Sequence, residues 1–61
     1  MSSGTVLRVL QREGRWMSAM ELQDVIGMGS SHIRDRLHNL LRKGLVYKRY
    51  DNRLVYWMAK V

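Results

Sequence analysis

The sequence predicts an α+β fold, in which three helices and a short strand are followed by a C-terminal β-hairpin, in one domain spanning residues 1–61. Three observations lead there. Apolar residues recur at helical spacing in three segments, and each segment is closed by a glycine, at Gly14, Gly27 and Gly44. The tail from Leu45 to Lys60 is rich in Val, Tyr, Leu and Trp and is interrupted by Asp51-Asn52, a strand–turn–strand pattern. Sixty-one residues allow one small domain, and no proline, linker or repeat divides it.

The first helix covers Ser3 to Glu13, where Val6, Val9 and Leu10 stand at i, i+3 and i+4 and make one apolar stripe. Gly14 follows as its C-cap, because glycine enters the left-handed conformation without a Cβ penalty. Arg15-Trp16-Met17 is long enough only for a short strand or connector, with Trp16 capping a small core. Ser18-Ala19-Met20-Glu21 is a capping box, and Met17 and Leu22 hold the two positions of a hydrophobic staple. The second helix then buries Leu22, Val25 and Ile26 and stops at Gly27.

A tight turn, Gly27-Met28-Gly29, leads into a third helix over residues 30–43, with Gly29 as N-cap and a second staple between Met28 and Ile33. Ile33, Leu37 and Leu40 form its buried stripe, and Arg42 and Lys43 complement the helix dipole in the last turn. Gly44 ends it, and Leu45 folds back toward Leu40 in a Schellman arrangement. A two-residue turn at Asp51-Asn52 pairs Tyr50 with Arg53, Tyr47 with Tyr56 and Leu45 with Met58. One face then holds Leu45, Tyr47, Leu54, Tyr56 and Met58, the other Val46, Lys48, Tyr50, Arg53, Val55 and Trp57. Val46, Val55 and Trp57 are expected on the solvent side, where such a patch suits a homodimer; a register slip of one would turn Trp57 inward instead.

Two helices joined by a glycine turn, the second amphipathic and basic, read as a helix-turn-helix, and the basic-tipped hairpin after them as a wing. The segment Ser18–Val46, SAMELQDVIGMGSSHIRDRLHNLLRKGLV, resembles the winged helix-turn-helix regulators of bacteria, archaea and their viruses, of the general MarR/ArsR type. The matching positions are Glu21-Leu22, Gly27-Met28, Ile33, Leu37 and Leu40, and Gly44-Leu45-Val46. The chain departs from that family in a short wing and in lacking an additional dimerisation helix. The resemblance implies a cytoplasmic, nucleoid-associated regulator of prokaryotic or viral origin.

Charge supports a polyanionic partner. Eleven Lys and Arg face five Asp and Glu, for a net +6. Residues 1–29 balance three cations with three acids, whereas residues 30–53 carry seven cations against two acids. A neutral half joined to a basic half is the footprint of a nucleic-acid surface. With no cysteine, disulfides and thiolate zinc are excluded. His32 and His38 stand six apart, the wrong spacing for one helical face, so no metal is expected. Scattered carboxylates without a nucleophile–base pairing predict neither an enzyme nor a cofactor. No apolar run is long enough for a membrane span, and no signal-peptide core follows Met1. No small-molecule ligand is expected either.

The third helix is the candidate reader of double-stranded DNA. Away from its apolar stripe it offers Ser31, His32, Asp35, Asn39 and Arg42, flanked by Arg34, Arg36, His38 and Lys43. Asn39 has the donor–acceptor pair that suits adenine, Arg34 or Arg36 suits guanine, and Asp35 suits cytosine. Ser30 and Ser31 open the helix beside free backbone N–H groups, a place for a DNA phosphate. Lys48, Arg49, Tyr50 and Arg53 at the hairpin tip suit the flanking backbone. The expected function is a sequence-specific transcriptional regulator, a small repressor or mobile-element control protein. The alternative is a winged helix that acts through protein contacts as an assembly module.

Overall fold

Each helix ends where its glycine turns left-handed. In the computed structural model, which describes residues 3–60, Gly14, Gly27 and Gly44 have φ of 61°, 82° and 73°. They close α1 (Ser3–Glu13), α2 (Ala19–Ile26) and α3 (Ser30–Arg42). At Gly44 both Schellman bonds form: Leu45 N–H donates to Leu40 C=O and Gly44 N–H to Leu41 C=O, each at 3.0 Å. Ser18 caps α2 as expected, its hydroxyl accepting from Glu21 N–H at 3.1 Å while the Glu21 carboxylate accepts from Ser18 N–H at 3.0 Å. Residues 1, 2 and 61, the ends of the predicted domain, lie outside the described residues.

Strands β1 (Met17–Ser18), β2 (Val46–Asp51) and β3 (Leu54–Ala59) form one antiparallel sheet in the order β1-β3-β2. The core gathers Val6 and Leu10 of α1, Met17 of β1, Leu22 of α2, and Ile33, Leu37 and Leu40 of α3. The sheet closes it with Val46, Trp57 and Ala59. Three helices packed on one face of a three-stranded antiparallel sheet make the α+β fold that the sequence predicts.

The hairpin differs from expectation in two ways. Its turn lies one residue later, at Asn52-Arg53, and pairs Tyr50 with Val55, Tyr47 with Met58 and Val46 with Ala59. The expected division of residues between the two faces survives, since the partner strand shifts by two, but the sheet presents the opposite face to the core. Val46 and Trp57, expected in solvent, are 1% and 3% exposed, and Val55 is half-buried. They therefore cannot form the homodimer patch assigned to them. The cause is long-range: β3 is held on its other side by β1, where Met17 pairs with Trp57. Burying a Trp side chain removes roughly 200 Å² from water, worth up to ~5 kcal/mol.

Two smaller corrections follow from the same packing. Trp16 does not cap the core but lies half-buried on the outer face of the sheet, tilted against Tyr47 with ring centres 6.5 Å apart. Val25 of α2 is exposed, and of the three α2 residues expected inside, only Leu22 is fully buried while Ile26 is half-buried.

Candidate nucleic-acid interface

The buried stripe of Ile33, Leu37 and Leu40 fixes the rotation of α3, so the residues between them turn outward. Ser30, Ser31, His32, Arg34, Asp35, His38 and Arg42 are exposed along the helix, and Lys43 just beyond it. Arg36 and Asn39 are half-buried at its flanks. The Asn39 carbonyl accepts a hydrogen bond from Arg42 Nη2 at 2.7 Å, which ties the expected adenine reader to another side chain of the predicted DNA-facing side. The amide still has its donors and a second lone pair for an adenine edge. At the start of α3, Gly29 is extended (φ −59°, ψ 147°) and no side chain caps the helix. The first-turn N–H groups therefore have no side-chain acceptor, beside exposed Ser30 and Ser31.

The wing is joined to α3 through Trp57. The His38 ring meets the indole edge-on, with centres 5.5 Å apart and planes at 85°. From β2, the Lys48 ammonium lies 5.5 Å from the Trp57 ring centre and 5.3 Å from that of Tyr50. Cations over aromatic faces are held at the edge of the apolar surface with their charge still toward water. His38, Lys48 and Tyr50 thus continue the exposed face of α3 onto the wing. The sequence reading placed Trp57 outside and missed this joint. No local signal marked it, because both strand faces carry large apolar residues and the choice between them is made by the pairing of β3 with β1.

Most of the predicted contact residues fall on this joined surface, with Arg53 at the turn of the wing. Arg49 is separated from Lys48 and Tyr50. Alternation sends it to the other face of the sheet, where its guanidinium sits 5.6 Å from the Trp16 ring centre and 3.8 Å from the Asp51 carboxylate. A further charge cluster bridges the end of α1 and the first turn of α2. Arg15 pairs with Glu21 at 3.1 Å and with Glu13 at 3.3 Å. The Ser18 N–H and then Arg15 hold the Glu21 carboxyl below its ordinary value.

Among the described residues, no cluster of three or more His, Cys, Asp or Glu could hold a metal ion, and no helix is long and apolar enough to cross a membrane. No protein-family model and no curated protein matches the chain. A solved structure of HOP2, from work on its DNA recognition and protein interaction domains and its homologous DNA pairing properties, is similar with a TM-score of 0.84. The similarity covers 95% of this chain and 97% of that one at 24% identity. It establishes the winged-helix arrangement of the three helices and the sheet.

Proposed function

We propose that this winged helix binds double-stranded DNA, with α3 in the major groove and the β2–β3 wing on the flanking backbone. One observation carries the reading: the exposed side of α3 and the wing joined to it by Trp57 present Arg34, Arg42, Lys43, Lys48 and Arg53 against Asp35 alone. Helix and wing meet at Trp57 in one continuous surface, which suits base-edge and phosphate contacts made together. DNA recognition is named for HOP2, whose structure shares this fold, and that supports the same use here.

The narrower reading is a sequence-specific regulator of the MarR/ArsR type, a small repressor or mobile-element control protein that acts by occupying its operator. It rests on the Ser18–Val46 motif and on the mixed donor and acceptor chemistry of α3, in which Asn39, Asp35 and the arginines distinguish bases. Selection of bound sites from random duplex DNA tests it. Enrichment of one short motif is the expected result; a bound pool no different from the input refutes sequence reading. The second reading, an assembly module working through protein contacts, is favoured by the aromatic outer face of the sheet. HOP2 work likewise names protein interaction domains.

A further inference from the structure

We infer that the outer face of the sheet binds an unpaired DNA strand, at a site separate from the α3 surface. Strand pairing puts Tyr47 and Arg49 of β2 on that face with Tyr56 and Met58 of β3, since Tyr47 pairs with Met58 and Arg49 with Tyr56. Trp16, just ahead of β1, joins them, its ring centre 6.5 Å from that of Tyr47. Tyr47 is 48% exposed, and Trp16 and Tyr56 are half-buried.

The rings present their faces. The Arg49 guanidinium sits 5.6 Å from the centre of the Trp16 ring, and the Lys60 ammonium 5.1 Å from that of Tyr47. A cation settles over the negative face of an aromatic ring, so both faces lie open at the surface of the sheet. A nucleobase stacks on such a face, and the cation it displaces turns to the neighbouring phosphate. The two rings and their two cations therefore supply both halves of single-strand recognition, stacking for the bases and positive charge for the backbone. The carboxylate on this face, Asp51, lies 3.8 Å from Arg49, so the face keeps two cations against one acid in a chain of net charge +6.

The same chemistry excludes a duplex from this site, because paired bases are stacked on one another and have no free face to offer. Aromatic residues on an open sheet hold two or three unpaired bases in other nucleic-acid-binding folds. The site stands on its own residues. Only the choice of DNA over RNA rests on the DNA reading above, since a duplex held by α3 supplies an unpaired DNA strand wherever it opens.

Amide NMR of the whole chain, titrated with an oligothymidylate of about eight nucleotides and separately with duplex DNA, tests it. The oligothymidylate should shift Trp16, Tyr47, Arg49, Tyr56 and their neighbours, and should do so equally when α3 is already saturated with duplex. Read at these amides, two cations on phosphates give log K against log salt a slope of about −1.4, far shallower than that of the basic surface of α3 and the wing. Tyr47→Ala should weaken oligothymidylate binding roughly 5- to 140-fold, the loss of one stacked base, and leave duplex affinity unchanged. Trp16→Ala repeats the test if Tyr47→Ala does not fold. Oligothymidylate shifts confined to α3 and the wing tip overturn the proposal, as does wild-type binding by Tyr47→Ala or Trp16→Ala. A lack of any shift on the outer face also overturns it and leaves that face to a protein partner. Tighter binding of oligouridylate at the same amides overturns the choice of DNA. Outer-face shifts without any duplex binding uphold this site and refute the duplex reading instead.

Discussion

Replacing Arg53 with glycine should stabilise the domain and weaken its hold on DNA in the same variant. Asn52 and Arg53 are the two central residues of the wing turn, with φ of 53° and 70°. A turn with both central residues left-handed favours Asn followed by Gly, and here arginine stands in the glycine position. A non-glycine residue in that region costs about 1–2 kcal/mol. Glycine recovers this but loses roughly 0.5–1 kcal/mol to the greater freedom of the unfolded chain. The net gain is ~0.5–1 kcal/mol, which in a domain of this size raises Tm by about 2–8 °C. Arg53→Ala removes the same charge and keeps the backbone penalty, so the difference between the two variants measures the strain less the chain-freedom cost of glycine. Both variants lose one phosphate contact, and their plots of log K against log salt should flatten by about 0.9. Thermal unfolding and salt-titrated duplex binding of both variants make the assay. A glycine variant no more stable than the alanine variant refutes a strain larger than glycine's chain-freedom cost. A stabilised glycine variant with unchanged affinity and slope refutes the phosphate role, and the strain is then unrelated to DNA.

Three further outcomes are expected. Asn39→Ala removes an adenine reader and the acceptor that positions Arg42, so it should cost roughly 1–3 kcal/mol on the preferred site and little on random duplex; equal losses on both would place Asn39 outside base reading. A Cβ at position 44 meets no atom within 4 Å, yet Gly44→Val forces a β-branched residue to φ 73°, so it should destabilise by about 1–3 kcal/mol in urea unfolding, and an unchanged midpoint would refute the strain. The Glu21 carboxyl is held low by the Ser18 N–H and then by Arg15, so the folded state resists protonating it. The stability it contributes is present above its unfolded pKa and is lost as pH falls through its lower folded value. Glu21→Gln should therefore lower stability at neutral pH and shallow the acid limb of the urea midpoint against pH; an unaltered acid limb would assign it to other groups.

The helices were legible because their signals are local. Gly14, Gly27 and Gly44 each adopt the left-handed backbone that their positions imply, and Ser18 and Glu21 form the expected capping box. The rotation of α3 followed from Ile33, Leu37 and Leu40 alone, and with it the outward set Ser31, Asp35, His38 and Arg42. The sheet was less legible because both hairpin faces are apolar. Val46, Val55 and Trp57 compete with Tyr47, Tyr56 and Met58, and period-two alternation cannot say which set points inward. That choice is made by β1, whose two residues pair with β3 across some forty positions of sequence. The turn is a separate matter: Asp51 and Asn52 are good turn residues, but the β2–β3 ladder extends to Asp51 paired with Leu54 and leaves Asn52 and Arg53 as the central pair. Arg49 and Trp16 changed roles with the sheet, and the outer face emerged only once its inner side was known.

The central claim, that α3 and the wing form one DNA-binding surface, is tested most directly by the affinity of the wild type for duplex DNA across a salt series. Five exposed cations lie on that surface: Arg34, Arg42, Lys43, Lys48 and Arg53. At about −0.9 per neutralised phosphate, log K against log salt should fall with a slope of about −4 to −5 per protomer. A slope shallower than about −2 would contradict the account, because most of those side chains would then be making no phosphate contact.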